Sequence, residues 1–79
     1  MNEQALALRY SVLIQWSDED QVFIVTLPEW QDRLIGAAGH GATHEEALAT
    51  ARISLEMLIS IAVERGETLP EPHQYPLAA

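Results

Sequence analysis

The spacing of hydrophobic and polar positions changes character along the chain, and each change marks an element. From Tyr10 the period is two, with Tyr10, Val12, Ile14 and Trp16 alternating with Ser11, Leu13 and Gln15. That is the signature of a strand, and its residues are strong β formers. The polar cluster Ser17-Asp18-Glu19-Asp20 predicts a turn. Residues 21–27 (QVFIVTL) then form a second β run, stopped by Pro28. An antiparallel hairpin follows, with Trp16 opposite Gln21, Ile14 opposite Phe23, Val12 opposite Val25 and Tyr10 opposite Leu27. Cross-strand partners share a face. One face therefore carries Tyr10, Val12, Ile14, Trp16, Phe23, Val25 and Leu27 and can bed a helix. The other carries Leu13, Val22 and Ile24 among polar residues.

Residues 28–33 read as a loop and residues 34–40 (LIGAAGH) as a short third strand, although Gly and Ala are weak β formers. The period then becomes helical. Thr43 is an N-cap and Glu46, three residues on, completes a capping box. Glu45 and Glu46 place negative charge at the positive end of the helix dipole. The pattern runs to about Arg65, and Gly66 suits the left-handed C′ position. At 100° per residue, Ala47, Leu48, Ala51, Leu55, Leu58, Ile59 and Ala62 fall on one broad stripe that should pack on the hairpin. Ile53, Met57 and Ile61 form a second apolar line on the far side, where a surface helix normally carries charge. Exposed apolar stretches mark contact surfaces. Leu13, Val22, Ile24, Ile53, Met57 and Ile61 are thus the candidate partner or subunit contacts. Leu69 is expected to add a short edge strand before Pro70 and Pro72 end pairing. Residues 1–8 and 73–79 read as loose ends around a single domain with its core in residues 9–72.

Composition narrows the function. A 79-residue chain buries only about 60% of its unfolded surface, so its stability is marginal unless an interface adds to it. Twelve acidic against four basic residues give a net charge of -8, which repels phosphate and disfavours direct nucleic-acid binding. The same charge attracts a basic protein. Without cysteine there is no disulfide framework or thiolate metal site. No apolar run spans a bilayer and residues 1–8 lack a signal-peptide pattern, so a soluble, cytoplasmic protein is expected.

Candidate chemistry is sparse. Asp18, Glu19 and Asp20 resemble no EF-hand loop, and a solvated turn accounts for them. His40 and His44 are spaced i, i+4, but His40 precedes the helix cap, so they do not share a helical face as zinc ligands would. Gly36, Gly39 and Gly41 precede a helix N-terminus in the order G-x-x-G-x-G, which is no dinucleotide fingerprint. They read as glycines that shape a strand-to-helix turn. No serine sits in an elbow motif. No enzyme, metal or cofactor is expected.

The order of features resembles the HicB-like antitoxin family. The resemblance rests on a strand opening Tyr10-Ser11, the acidic turn, a strand ending Leu27-Pro28 and Gly41-Ala42-Thr43-His44-Glu45-Glu46-Ala47-Leu48. It continues in Gly66-Glu67-Thr68-Leu69-Pro70-Glu71-Pro72. It implies an α+β fold of order β-β-β-α-β, a partial ribonuclease H-like arrangement. In it a three- to four-stranded antiparallel sheet carries one long helix on one face. It also implies a non-catalytic antitoxin that neutralises a small basic, mRNA-cleaving HicA-type toxin by direct binding. Members that repress their own operon carry a C-terminal DNA-binding domain, and the stretch after Pro72 has no such pattern. A short form without that domain is expected. The alternative is an orphan homo-oligomer, a dimer or tetramer with no cognate toxin.

Overall fold

A computed structural model describes residues 3–34 and 36–76. Its elements in chain order are α1 (Glu3–Ala7), β1 (Leu13–Ser17), β2 (Val22–Thr26), a 3-10 turn (Pro28–Trp30), β3 (Gly39–Gly41) and α2 (His44–Arg65). The three strands form one antiparallel sheet in the order β1-β2-β3. The fold is α+β, and among the described residues no helix is long and apolar enough to cross a membrane.

The hairpin forms, but its pairing moves two residues from the expected register. Trp16 lies opposite Phe23, Ile14 opposite Val25 and Leu13 opposite Thr26. The turn chemistry explains the shift. Ser17, read as the first loop residue, instead ends β1, pairs with Val22 and caps the turn by accepting from the Asp20 N–H at 3.2 Å. Gln21 N–H donates to the Ser17 carbonyl at 2.8 Å, and Gln21 takes the left-handed φ of 56° that closes the loop. Because side chains alternate with period two, a two-residue shift keeps every residue on its expected face. Val25 and Leu27 are buried, and Ile14 and Phe23 pack against the core. Trp16, expected under the helix, remains 49% exposed on the outer strand.

The third strand is shorter than the run 34–40, of which Ile35 lies outside the described residues. Leu34 is in the loop, Gly36 has a left-handed φ of 84°, and only Gly39–Gly41 pairs with β2. The glycines in that strand have a packing role that was not foreseen. A Cβ on Gly41 would fall on the Ala47 nitrogen and 2.8 Å from the Glu46 carbonyl carbon, while one on Gly39 would strike the Thr50 methyl. The bare backbone of β3 is what lets α2 lie directly against it.

The helix follows its expected bounds. Thr43 Oγ1 accepts from the Glu46 N–H at 3.1 Å, and the Glu46 carboxylate reaches back to the Ala42 N–H at 3.5 Å, one residue before the usual capping-box partner. At the other end Gly66 has φ 69°. Glu67 N–H donates to the Ala62 carbonyl at 2.9 Å and Gly66 N–H to the Val63 carbonyl at 3.1 Å. That is the paired bonding of a Schellman motif. Ala47, Ala51, Leu55, Ile59 and Ala62 are buried. Leu48 is exposed instead, although it lies within the stripe between Leu55 and Ile59; it borders an open groove lined also by Leu8 and Val12.

Both flanks of the core differ from expectation. The lead-in is not loose: it forms α1, which packs on α2 and contributes Ala7 to the core. The expected edge strand at Leu69 does not form among the described residues. Leu69 packs against the core from irregular chain instead. The outermost expected loose ends, residues 1–2 and 77–79, lie outside the described residues.

The helix-to-strand contact predicts an asymmetry between two glycines. Gly41→Ala presses on helix backbone that cannot rotate away and should cost about 1–3 kcal/mol. Gly39→Ala meets only the end of the Thr50 side chain and should cost less. Urea unfolding of both variants checks this, and equal losses would contradict it.

Candidate functional site

The polar side chains that reading the sequence singled out do not converge. His40 sits on β3 opposite Ile24, between two glycines that face α2, so its side chain projects from the other side of the sheet. His44 opens α2, its ring 4.2 Å from that of Phe23. Asp18, Glu19 and Asp20 are exposed around the turn; Asp18 accepts from the Trp16 indole at 2.7 Å, and Asp20 is bonded to Ser17. Among the described residues no group of three or more His, Asp or Glu side chains is placed to hold a metal ion.

The apolar candidates divide between two surfaces. Leu13, Val22 and Ile24 share the sheet face turned away from α2, with Gln15, Ser17, Thr26 and His40 among them. Leu13 is exposed and the other two are half-buried. The acidic turn closes the hairpin end of this face. On α2, Ile53, Met57 and Ile61 are all exposed and form a ridge pointing away from the sheet. An open groove of about 690 Å³ runs beside Ile53, between α1 and α2, floored by Ala5, Ala7 and Ala49.

A polar cluster that the sequence reading passed over holds the chain together near the start of β1. Glu29, in the 3-10 turn, accepts from the Ser11 N–H through both carboxylate oxygens at 3.1 Å and from the Ser11 hydroxyl at 3.0 Å. It also accepts from the His73 N–H at 2.9 Å. Beside it, the Tyr10 hydroxyl donates to the Pro70 carbonyl at 2.6 Å, and Arg33 donates to the Thr68 carbonyl. Tyr10 meets the buried Trp30 edge-on at 5.3 Å, and the Arg33 guanidinium lies 5.2 Å from the Trp30 ring centre. The Trp30 indole nitrogen is buried without a partner, so shape and the Tyr10 edge hold that ring. Three side chains, those of Tyr10, Glu29 and Arg33, thus fasten residues 68–73, a segment expected to be loose from His73 onward.

The electrostatics of the cluster follow from its contacts. Burial works against the charged form of Glu29. The N–H groups of His73, Glu29 itself and Ser11, with the Ser11 hydroxyl, outweigh that and hold the carboxyl below its usual range. Burial raises the Tyr10 hydroxyl, aided by the Glu29 charge, opposed by Arg33 and aided again by Glu71. One signal was available in the sequence: Trp30, a large apolar ring two residues after Pro28, would be left exposed by a free loop.

A carboxyl whose folded pKa is depressed stabilises the fold above its unfolded value, about 4.3 for Glu, and loses that contribution as pH falls through the folded value. Acid should therefore loosen the tail. Amide exchange at His73 should accelerate as pH falls below the usual carboxylate range, after correction for intrinsic rates. Glu29→Gln should exchange fast at neutral pH and lose that dependence. Unchanged His73 protection in the variant would show that Glu29 does not hold the tail.

Comparison with known protein families, with curated proteins and with solved structures finds no match to this chain. The functional reading therefore rests on its own residues and geometry.

Proposed function

We propose that this protein is a non-catalytic, HicB-like antitoxin that binds and neutralises a small basic ribonuclease. The observation that supports the reading best is the sheet face opposite α2. It carries Leu13, Val22 and Ile24, and the Asp18-Glu19-Asp20 turn lies at its end. Apolar residues supply contact energy, and the adjacent carboxylates attract a positively charged partner and orient it. The ordered motif agrees with this. Its strand-turn-strand portion is the hairpin, and the Gly41-to-Ala47 portion is the seat and first turn of α2. Antitoxin action on an mRNA-cleaving toxin places the pair in the cytoplasm.

Such a contact neutralises by occupation. A basic ribonuclease holds its RNA through the same positive surface that a -8 protein attracts. An acidic face bound there excludes the nucleic acid without performing any chemistry.

The test is direct. The reading requires a small basic protein encoded beside this chain, which should cleave RNA alone and lose that activity when mixed with this protein in equal amounts. Ile24→Glu, on the contact face, should weaken binding by at least about tenfold, the effect of losing one contact worth 1.4 kcal/mol. Binding should also loosen with added salt. A basic neighbour that fails to bind, or that cleaves RNA equally well in the complex, would overturn the reading.

A further inference from the structure

Residues 53–61 of α2 read I-S-L-E-M-L-I-S-I. About Met57 the sequence is nearly its own mirror image. Ile53 corresponds to Ile61, Ser54 to Ser60 and Leu55 to Ile59, and only Glu56 and Leu58 break the match. The buried members, Leu55 and Ile59, serve the core. The outward members do not: Ile53 is 61% exposed, Met57 55% and Ile61 36%. They form a ridge with Met57 at its midpoint, each isoleucine about 6 Å away along the axis.

We propose that this ridge is a self-association surface, with a second copy of this chain packed antiparallel across it and a two-fold axis passing at Met57. A two-fold contact requires that if one residue touches another, the reverse contact also occurs. An antiparallel copy centred on Met57 meets that requirement, since each Ile53 lies abreast of Ile61 of the second copy and the two Met57 side chains meet at the axis. Methionine is suited to that place, because its unbranched chain can fold to either side of an identical neighbour.

Charge at the helix ends selects the same direction. The first turn of α2 carries Glu45 and Glu46, and the last carries Arg65. Antiparallel pairing at Met57 brings Arg65 of each copy within about 5 Å, along the axis, of Glu46 in the other. It also opposes the two helix dipoles. A parallel copy would set acidic end against acidic end. Glu64 adds a like charge at the same corner, and each chain carries -8 overall. Self-association therefore tightens when salt screens the repulsion, the reverse of the response expected for a basic partner. The inference is independent of the proposed toxin contact, which uses the opposite surface of the molecule.

Sedimentation of the full chain at about 100 μM, a concentration that populates even a micromolar dimer, should give twice the chain mass, with the dimer fraction rising as salt is added. Met57→Glu should sediment as a monomer with an unchanged circular dichroism spectrum, since the side chain faces solvent. The chain has no cysteine, so single thiols report the geometry. Met57→Cys should form a disulfide-linked dimer on mild oxidation much faster than Val63→Cys, which is exposed but off the ridge. A mixture of Ile53→Cys and Ile61→Cys should cross-link to each other in preference to themselves. A chain that stays monomeric at this concentration would overturn the proposal. So would a dimer that survives Met57→Glu, or equal cross-linking of Met57→Cys and Val63→Cys.

Discussion

The arrangement depends on how closely α2 can approach β3. A helix normally rests on a sheet through the side chains of both, but here the strand offers none: Gly39 and Gly41 face the helix, and Ala47 and Thr50 meet their backbone. Alanine at 47 and 51, and the Ser54 hydroxyl bonded at 2.9 Å to the Ala38 carbonyl, continue the close seam. One edge of the helix is thereby brought down onto the sheet. The other edge is raised by larger groups, with Leu55 and Ile59 packing into a cluster of Tyr10, Val25, Leu27 and Trp30. So small a sheet cannot cover a 22-residue helix, and the segments flanking the hairpin complete the cover. This explains why Tyr10 and Trp30, which lie outside any strand, are among the buried residues.

What the chain revealed before folding, and what it withheld, follows from the range of each interaction. The helix bounds were legible because Thr43, Glu46 and Gly66 act on backbone groups within a few residues of themselves. The hairpin faces were legible because alternation is local; its pairing was not, because Ser17 served as a capping strand end while looking like a loop residue. The role of Gly41 was misjudged as turn flexibility, since only the position of a helix distant in space shows that a missing Cβ is needed. The Glu29 cluster was missed for the same reason. Its partners, Ser11 and His73, are 18 and 44 residues away, and no periodicity marks them. The six apolar candidates were legible as leftovers, apolar positions not needed by the one face of each element that the core uses.

Those leftovers set the functional picture. The sheet and the helix each have a buried side and an outward side, and both outward sides carry hydrophobic groups. They differ in their electrostatic setting. The sheet surface ends in a run of carboxylates, whereas the α2 ridge is uncharged along its length, with Glu45 and Glu46 at one end and the adjacent Glu64 and Arg65 at the other. A cationic protein and an identical copy place different demands on a surface, and under the two proposals each face meets one of them. Both could be occupied at once, because α2 and the core lie between them.

The two-residue displacement of the hairpin has a consequence for how its strands tolerate slippage. Because every side chain kept its side of the sheet, the pairing of β1 with β2 is constrained by parity and not by the absolute position of the turn. The strands can therefore slide against each other in steps of two while Val25 and Leu27 stay beneath the helix. A step of one would carry the core residues of β2 to the solvent side and bring Ile24 inward. Slippage of the hairpin is in this sense quantised, whereas the acidic loop itself can take up an added residue without moving either strand.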